Sequence, residues 1–341
     1  MKQPLMSRGP GGDRSTIVLT GSEVRELLDL GECIGAVERV LGLPATSGAS
    51  APGVLGVHTE GGGFHIKAAA ARLGRHYFAA KTNGNFPDNP ARSGLPTIQG
   101  VIVLCDAVDG RPLAVLDSGE ITTLRTAAAT AVAARHLART DAGVVTVVGC
   151  GVQGRAQIEA LALVRPLTHV FAIDSESRVA ARFATEMTRS LGLPVEPGAA
   201  LADATLQSDV IVTCTPSRRP FLRPEHVAPG AFVAAVGADN PEKQEIDPEL
   251  FRNATIVVDV LDQCATFGDL HHAIEAGVCD RTDVYAELGE IVGGSMPGRR
   301  SSSEIILFDS TGTALQDVAA AAVVYERAVA AGRGHVIQLG A

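Results

Sequence analysis

The chain has 341 residues, 46% of them hydrophobic and 20% charged, which sets a prior of two domains and a sizeable core. Its net charge of −9, from 29 Lys plus Arg against 38 Asp plus Glu, opposes the basic footprint that a phosphate backbone requires. With no Trp and 4% aromatic residues, the stacking platforms of a single-strand binder are missing too, so nucleic acid is not an expected partner.

The first fifteen residues, MKQPLMSRGPGGDRS, lack the apolar stretch of a secretory signal and read as a loose tail. Thr20-Gly-Ser-Glu23 supplies cap residues before VRELLDL, and apolar residues recur at helical spacing from Cys33 to Leu43, which predicts two short helices. Residues 44–63 form a Gly/Ser/Pro-rich passage expected to loop around a site. Strand character then marks Phe64–Ala70, His76–Thr82, Thr97–Asp106 and Pro112–Leu116, a mostly antiparallel sheet. The Ala-rich run Glu120–Arg139, free of Gly and Pro, predicts one long helix connecting two domains.

Beyond it, short apolar runs at Val144–Val148, His169–Ile173, Asp209–Cys214, Phe232–Val236 and Thr255–Val260 alternate with helical or loop segments. That alternation predicts an α/β fold with a parallel sheet covered by helices. A last strand over Glu304–Phe308 leads through Asp309-Ser-Thr-Gly312 into an Ala-rich helix ending near Gly332. No internal repeat of fixed period is present. The six cysteines, at 33, 105, 150, 214, 264 and 279, form no CxxC pair and read as reduced thiols of a cytoplasmic protein. No stretch approaches the 18 apolar residues of a membrane span, so no membrane association is expected.

The clearest chemistry lies in VVTVVGCGVQG, where an apolar strand runs into Gly149-x-Gly151-x-x-Gly154 and then a helix. The first glycine allows the tight turn, the second lets backbone approach a pyrophosphate, and the third packs helix on strand. The helix N-terminal amides then hold the phosphates. The next strand, HVFAID, ends in Asp174, twenty residues past Gly154, which completes the dinucleotide-binding fingerprint. A carboxylate there accepts hydrogen bonds from the ribose hydroxyls and repels a 2′-phosphate, so NAD is expected over NADP. Arg178, four residues on, is the one basic residue near enough to argue otherwise.

Charged residues in small or apolar surroundings are the substrate candidates. Lys81 ends an apolar strand in YFAAKTNGNFPDNP, or else is an ordinary surface or salt-bridged lysine. Arg125 lies inside the Ala-rich helix, where a guanidinium grips a carboxylate bidentately or bridges two domains. Asp239 follows the apolar strand FVAAVGA at the edge where open α/β sheets bind ligands, placed for proton transfer or, alternatively, for capping the turn at Asn240-Pro241. His271 and His272 with Asp269 and Asp280 lack zinc-site spacing, and adjacent side chains are expected to diverge, so no metal is assigned.

Taken with KTNGNFPDNP, GLPTIQGVIVLCDAVDGRPLAVLD, LRTAAATAVAARHLA, VVGCGVQG, AAVGADNPEKQEID and FDSTGTALQD, the sequence resembles the ornithine cyclodeaminase and mu-crystallin family from about Thr20 to Gly332. The resemblance implies a substrate-binding and dimerisation domain from residues 1–125 plus 315–341, with a Rossmann NAD-binding domain over 126–314 inserted into it. It implies that Lys81 and Arg125 bind the substrate carboxylate, that Thr97 lines the pocket, and that Asp239, with Lys81, is catalytic. Thr126, Gly149, Gly151, Val152, Gln153, Gly154, Asp174, Ser175, Thr215 and Val236 are the implied cofactor contacts.

Ornithine cyclodeaminases carry a glutamate in the strand before the lysine, placed to meet the distal amine of the substrate. The aligned residue here is Lys67, and the upstream arginine of those enzymes has no counterpart in GASAPGVLG. A cation facing a cationic side chain is costly when desolvated, which favours a neutral or acidic amino acid. The leading expectation is therefore an NAD-dependent homodimeric enzyme interconverting an α-amino acid, primary or N-substituted, and its imine, like an alanine dehydrogenase or ketimine reductase. A cyclodeaminase releasing ammonia and a non-catalytic binder similar to mu-crystallin are the alternatives.

Overall fold

The computed structural model describes residues 15–43, 53–198 and 200–339, which fall into two compact units. One comprises residues up to Arg125 together with those from Thr313 on; the other runs from Thr126 to Gly312.

The first unit opens with β1 (Ser15–Leu19), α1 (Gly21–Leu27) and α2 (Leu30–Leu41). Thr20 starts α1 with the expected capping box, its side chain accepting from Glu23 N while Glu23 returns to Thr20 N. Next come β2 (Gly53–Thr59), β3 (Gly62–Leu73), β4 (Arg75–Asn85), α3 (Asn89–Ser93), β5 (Ile98–Asp106), β6 (Pro112–Asp117) and α4 (Ser118–Leu137), with the unit boundary falling inside α4.

The second unit supplies β7 (Val144–Val148), α5 (Val152–Ala162), β8 (His169–Ile173), α6 (Ser177–Leu191), β9 (Val195–Pro197), α7 (Leu201–Thr205), β10 (Val210–Thr213), β11 (Arg218–Leu222), β12 (Phe232–Ala235) and β13 (Gln244–Ile246). It ends with α8 (Pro248–Phe251), β14 (Thr255–Val258), α9 (Leu261–Phe267), α10 (Asp269–Glu275), β15 (Val284–Glu287), α11 (Leu288–Val292) and β16 (Ile306–Asp309). The chain then re-enters the first unit as α12 (Ala314–Ala331) and β17 (His335–Gln338).

In the first unit a seven-stranded sheet runs β17-β1-β6-β5-β4-β3-β2, antiparallel except for the β1/β6 pair. α12 packs on β3, β4 and α2, and its Val318–Ala322 run is buried throughout. The second unit holds an eight-stranded parallel sheet, β15-β14-β16-β12-β10-β7-β8-β9, the α/β architecture the apolar runs predict. β10 and β12 are buried at every residue, as strands covered on both faces must be. Strand order turns back at β7, with β8 on one side and β10 on the other, so a ligand crevice is expected at the carboxyl ends of β7 and β10.

Two sequence expectations need correction. Ser15, assigned to the loose tail, begins β1, which pairs with β6 and β17; residues 1–14 lie outside the described part. The passage expected as a loop over 44–63 is in part strand: Gly53–Thr59 pairs antiparallel with β3, and 44–52 lie outside the described residues. Glycines at 53 and 56 disguise β2, whose pairing is set by its backbone.

Candidate active site

In the first unit the polar centre is built on β3, β4, α4 and α12. Lys81 sits in the middle of β4, not at a strand end, and only 3% of it is exposed. Its Nζ donates to Asp317 Oδ1 at 2.9 Å and lies 2.8 Å from Oδ2. Arg125 Nε donates to the same Asp317 Oδ1 at 3.0 Å, and its Nη1 donates to Gln316 Oε1 at 2.9 Å. The alternative of an interdomain bridge for Arg125 is thereby corrected, because Asp317 belongs to the same unit. Lys67, also buried, stands directly across from Lys81 in the β3/β4 register. Thr97 lies just before β5, and its carbonyl accepts from Phe86 N at 2.8 Å.

Burial, with the charges of Arg125 and Lys67 added to it, pulls the Lys81 ammonium down to about 7, while Asp317 resists. Burial raises the Asp317 carboxyl, but Lys81, Arg125 and Lys67 overcome it and hold that carboxyl below its ordinary range. Sequence reading did not single out Asp317 or Gln316. They are the polar pair in ALQDVAAAAVV, and full burial of an acid on an Ala-rich helix was the available signal.

In the second unit the glycine turn sits at the carboxyl end of β7. Gly149 has φ +102°, and a Cβ there would lie 2.7 Å from the Cys214 carbonyl oxygen. A Cβ on Gly154 would collide with the Gly149 carbonyl, whereas one on Gly151 would meet nothing within 4 Å. Open ground therefore lies in front of Gly151, the N-cap of the eleven-residue α5, whose first-turn amides at Val152 and Gln153 face outward. The buried side-chain nitrogen of Gln153 has no partner among the described residues. Asp174 braces this turn: Oδ2 accepts from Cys150 N at 2.9 Å, and Oδ1 accepts from Glu176 N at 3.0 Å. Ser175 lies beside it, while Arg178 is 90% exposed at its side chain and pairs with Glu176. These features fit a dinucleotide pyrophosphate with an acidic residue at the ribose.

Thr215 and Val236 follow β10 and β12 at the same sheet edge, and Asp239 lies three residues beyond Val236. Asp239 Oδ1 accepts from Lys243 Nζ at 2.7 Å, and 42% of its side chain is exposed. In the adjoining turn Asn240 Oδ1 accepts from Glu242 N at 3.0 Å, and Asn240 Nδ2 donates to Asp239 Oδ1 at 3.4 Å. Thr126 is half-buried on α4. The rings of His271 and His272 do not diverge as expected: their centroids lie 4.5 Å apart, and with Glu275 they bring three ligand-type atoms within 4.8 Å. His272 Nε2 is engaged by the Lys243 carbonyl and His271 Nε2 lies 3.2 Å from Glu275.

Comparison with known proteins places these features in context. Residues 14–332 match the ornithine cyclodeaminase/mu-crystallin family. An alanine dehydrogenase of Archaeoglobus fulgidus is 39% identical over 324 residues, 95% of this chain and 98% of that one. Among solved structures, an archaeal alanine dehydrogenase dimer with bound NAD aligns with a TM-score of 0.91 at 38% identity, covering 95% of this chain and 99% of the other. The iminosuccinate reductase of Paracoccus denitrificans in complex with NAD+ aligns with a TM-score of 0.88 at 32% identity, covering 96% and 100%.

Proposed function

The chain belongs to the ornithine cyclodeaminase/mu-crystallin family, and on that premise we infer that it is an NAD-dependent oxidoreductase interconverting an α-amino acid and its imine. The observation that carries the substrate class is the burial of Lys81 and Arg125 around a single carboxylate, Asp317. Buried charges are stable only when paired, and two cations on one anion leave positive charge for a substrate carboxylate to offset. Held at the glycine turn, NAD would supply hydride exchange with the α-carbon of the amino acid or imine. Lys81 and Arg125 hold the carboxylate, Thr97 lines the pocket, and Asp239 takes the proton from the substrate nitrogen or gives it back. Gly149, Gly151 and Gly154, the amides of Val152 and Gln153, and Asp174 with Ser175 hold the dinucleotide, NAD in preference to NADP. Thr126, Thr215 and Val236 complete that set.

Lys67 sets the substrate range. It is buried directly across from Lys81, so a second ammonium on the substrate would meet a like charge where water cannot screen it. Neutral and acidic amino acids fit this pocket; ornithine and lysine do not, which disfavours a cyclodeaminase. The enzyme is a cytoplasmic homodimer in this reading. Its six cysteines are free, and the first unit leaves Leu55, Val57, Phe64 and Val101 exposed on one face of its sheet as an apolar surface for a second copy. No helix of the described residues is long and apolar enough to cross a membrane.

The test is NADH absorbance with a panel of 2-oxo acids plus ammonia or amines, together with chromatography for cyclised product. Neutral or acidic 2-oxo acids should be reduced, and Lys67→Glu should shift the preference toward ornithine. Rapid conversion of ornithine to proline by the unaltered protein would refute the substrate assignment.

A further inference from the structure

Outside the residues already given a role, Glu245, on the short strand β13, is a buried charge of the second unit whose two oxygens both meet hydrogen-bond donors. None of it is exposed. Oε1 accepts from the backbone N and the hydroxyl of Thr215, both at 2.6 Å. Oε2 accepts from the Thr213 hydroxyl at 2.7 Å and from Gly237 N at 2.9 Å. One carboxylate thus ties the end of β10 to the loop after β12. Its own strand is fixed from behind, since Glu245 N and Ile246 N both donate to Asp269 Oδ1, at 2.8 and 2.9 Å. β13 is in turn paired with β11, and Gln244 N donates to the Ser217 carbonyl, so the carboxylate projects from a held backbone.

The fit is close enough to dictate a neighbour. A Cβ on Gly237 would overlap the Thr215 carbonyl oxygen and sit 2.5 Å from Glu245 Cδ. The same junction touches the glycine turn, because a Cβ on Gly149 would meet the Cys214 carbonyl at 2.7 Å and Thr215 Cγ2 at 3.1 Å. Asp239 lies two residues beyond Gly237. Burial pushes the Glu245 carboxyl above its ordinary range while its four donors pull it back toward the ionised form, whose charge-assisted bonds are roughly twice as strong as neutral ones.

We propose that Glu245 is a positioning residue for hydride transfer: it holds the backbone at Thr215 and Gly237 in the shape that seats the dinucleotide and sets the loop carrying Asp239. This rests on the dinucleotide reading of the glycine turn. Glu245 touches neither cofactor nor substrate in this role. Its effect passes through Thr215 and Gly237. A carboxamide cannot replace it, since Gln has one acceptor oxygen and would aim an N–H₂ at donors.

The experiment titrates NADH by fluorescence and measures kcat and the KM of the amino acid at saturating NAD, in wild type, Glu245→Gln, Thr213→Val and Thr213→Ser. Glu245→Gln should weaken NADH binding about tenfold and lower kcat by about 10²-fold, the low end of what mispositioning a reacting group costs, while the amino-acid KM moves less than about twofold. Thr213→Val, which deletes one of the four bonds at a buried strand position, should move NADH binding the same way by about threefold, and Thr213→Ser should recover it. A merely structural Glu245 predicts lower thermal stability with the NADH dissociation constant and kcat unchanged in the folded variants, and that result overturns the proposal. If Glu245→Gln does not fold, the Thr213 pair decides by the same criterion. Failure of the wild-type chain to bind NADH would overturn the dinucleotide reading and this inference with it.

Discussion

At the scale of single residues, the two proposed chemical groups have opposite environments. Asp239 is partly open and paired with Lys243 at 2.7 Å, beside a turn in which Asn240 Oδ1 accepts from Glu242 N. A positioned proton carrier contributes about 10²–10⁴-fold in rate. Asp239→Asn should therefore keep the fold and NADH binding while turnover falls at least about a hundredfold. Near-normal turnover would retire Asp239 as the proton carrier. Lys81 is closed off, and burial with neighbouring cations draws its ammonium down to about 7. A lysine titrating there loses its charge as pH rises through 7, so affinity for a 2-oxo acid, whose carboxylate stays ionised, should decline from pH 6 to pH 9. Lys81→Met should bind more weakly at pH 6 and show a flatter profile. A wild-type affinity that is level across that range would count against Lys81 as the carboxylate holder.

At the scale of elements, legibility followed burial on two faces. β7 and β8 were readable to the residue because a strand covered on both sides is a continuous apolar run; β10, β12, β14 and β16 were readable to within one or two residues, and β9 and β15, short strands at the two edges of that sheet, were not singled out. β1 and β17 were not readable either, since STIVL and HVIQ are short elements, β17 at the sheet edge and β1 beside it, whose antiparallel pairing joins opposite ends of the chain. No local pattern encodes such a contact. For the same reason Lys81 and Arg125 stood out as cations in apolar text, while their common partner on α12 did not. Glu245 was hidden differently: in EKQEID it sits among polar residues and resembles a solvated turn. The β3/β4 register that sets Lys67 opposite Lys81 would by itself be unfavourable, and α12 answers it by bringing in Asp317. Removing that charge leaves Lys81 and Arg125 buried without their shared carboxylate. Breaking a buried pair this way costs about 3–5 kcal/mol, so Asp317→Asn should lose about that much in urea unfolding of the ligand-free protein. A loss below about 1 kcal/mol, the range of an exposed pair, would mean that the cluster is solvated in solution.

At the scale of the whole molecule, the buried cations are confined to one unit. Among the described residues, the buried cations Lys67, Lys81 and Arg125 all belong to the first unit, whereas the buried charged groups of the second are acids: Glu245, Asp259, Asp269 and Asp309. Asp259 is well supplied with donors, accepting from Val260 N, Gly312 N and the Thr311 hydroxyl. Asp269 and Asp309 each leave one buried oxygen without a hydrogen-bond partner. Burial, reinforced at Asp309 by Asp259, pushes the Asp309 carboxyl up to about 7, and burial with the charges of Asp309 and Glu245 raises Asp269 well above its ordinary range. An acid that titrates higher in the folded chain than in the unfolded one holds its proton longer when folded. The stability it lends is complete below about pH 4 and is lost as pH rises through about 7. Asp309→Asn cannot ionise, yet its carbonyl oxygen still accepts the bond that Leu270 N donates to the native carboxylate at 2.9 Å. Wild type should therefore lose stability relative to Asp309→Asn between pH 5 and pH 8, measured by urea unfolding at matched ionic strength. The remaining charges of the chain act on both proteins almost equally, so the difference isolates the buried group. Parallel stability curves for the two proteins would mean that Asp309 titrates in its ordinary range and that the second unit bears its buried acids fully ionised.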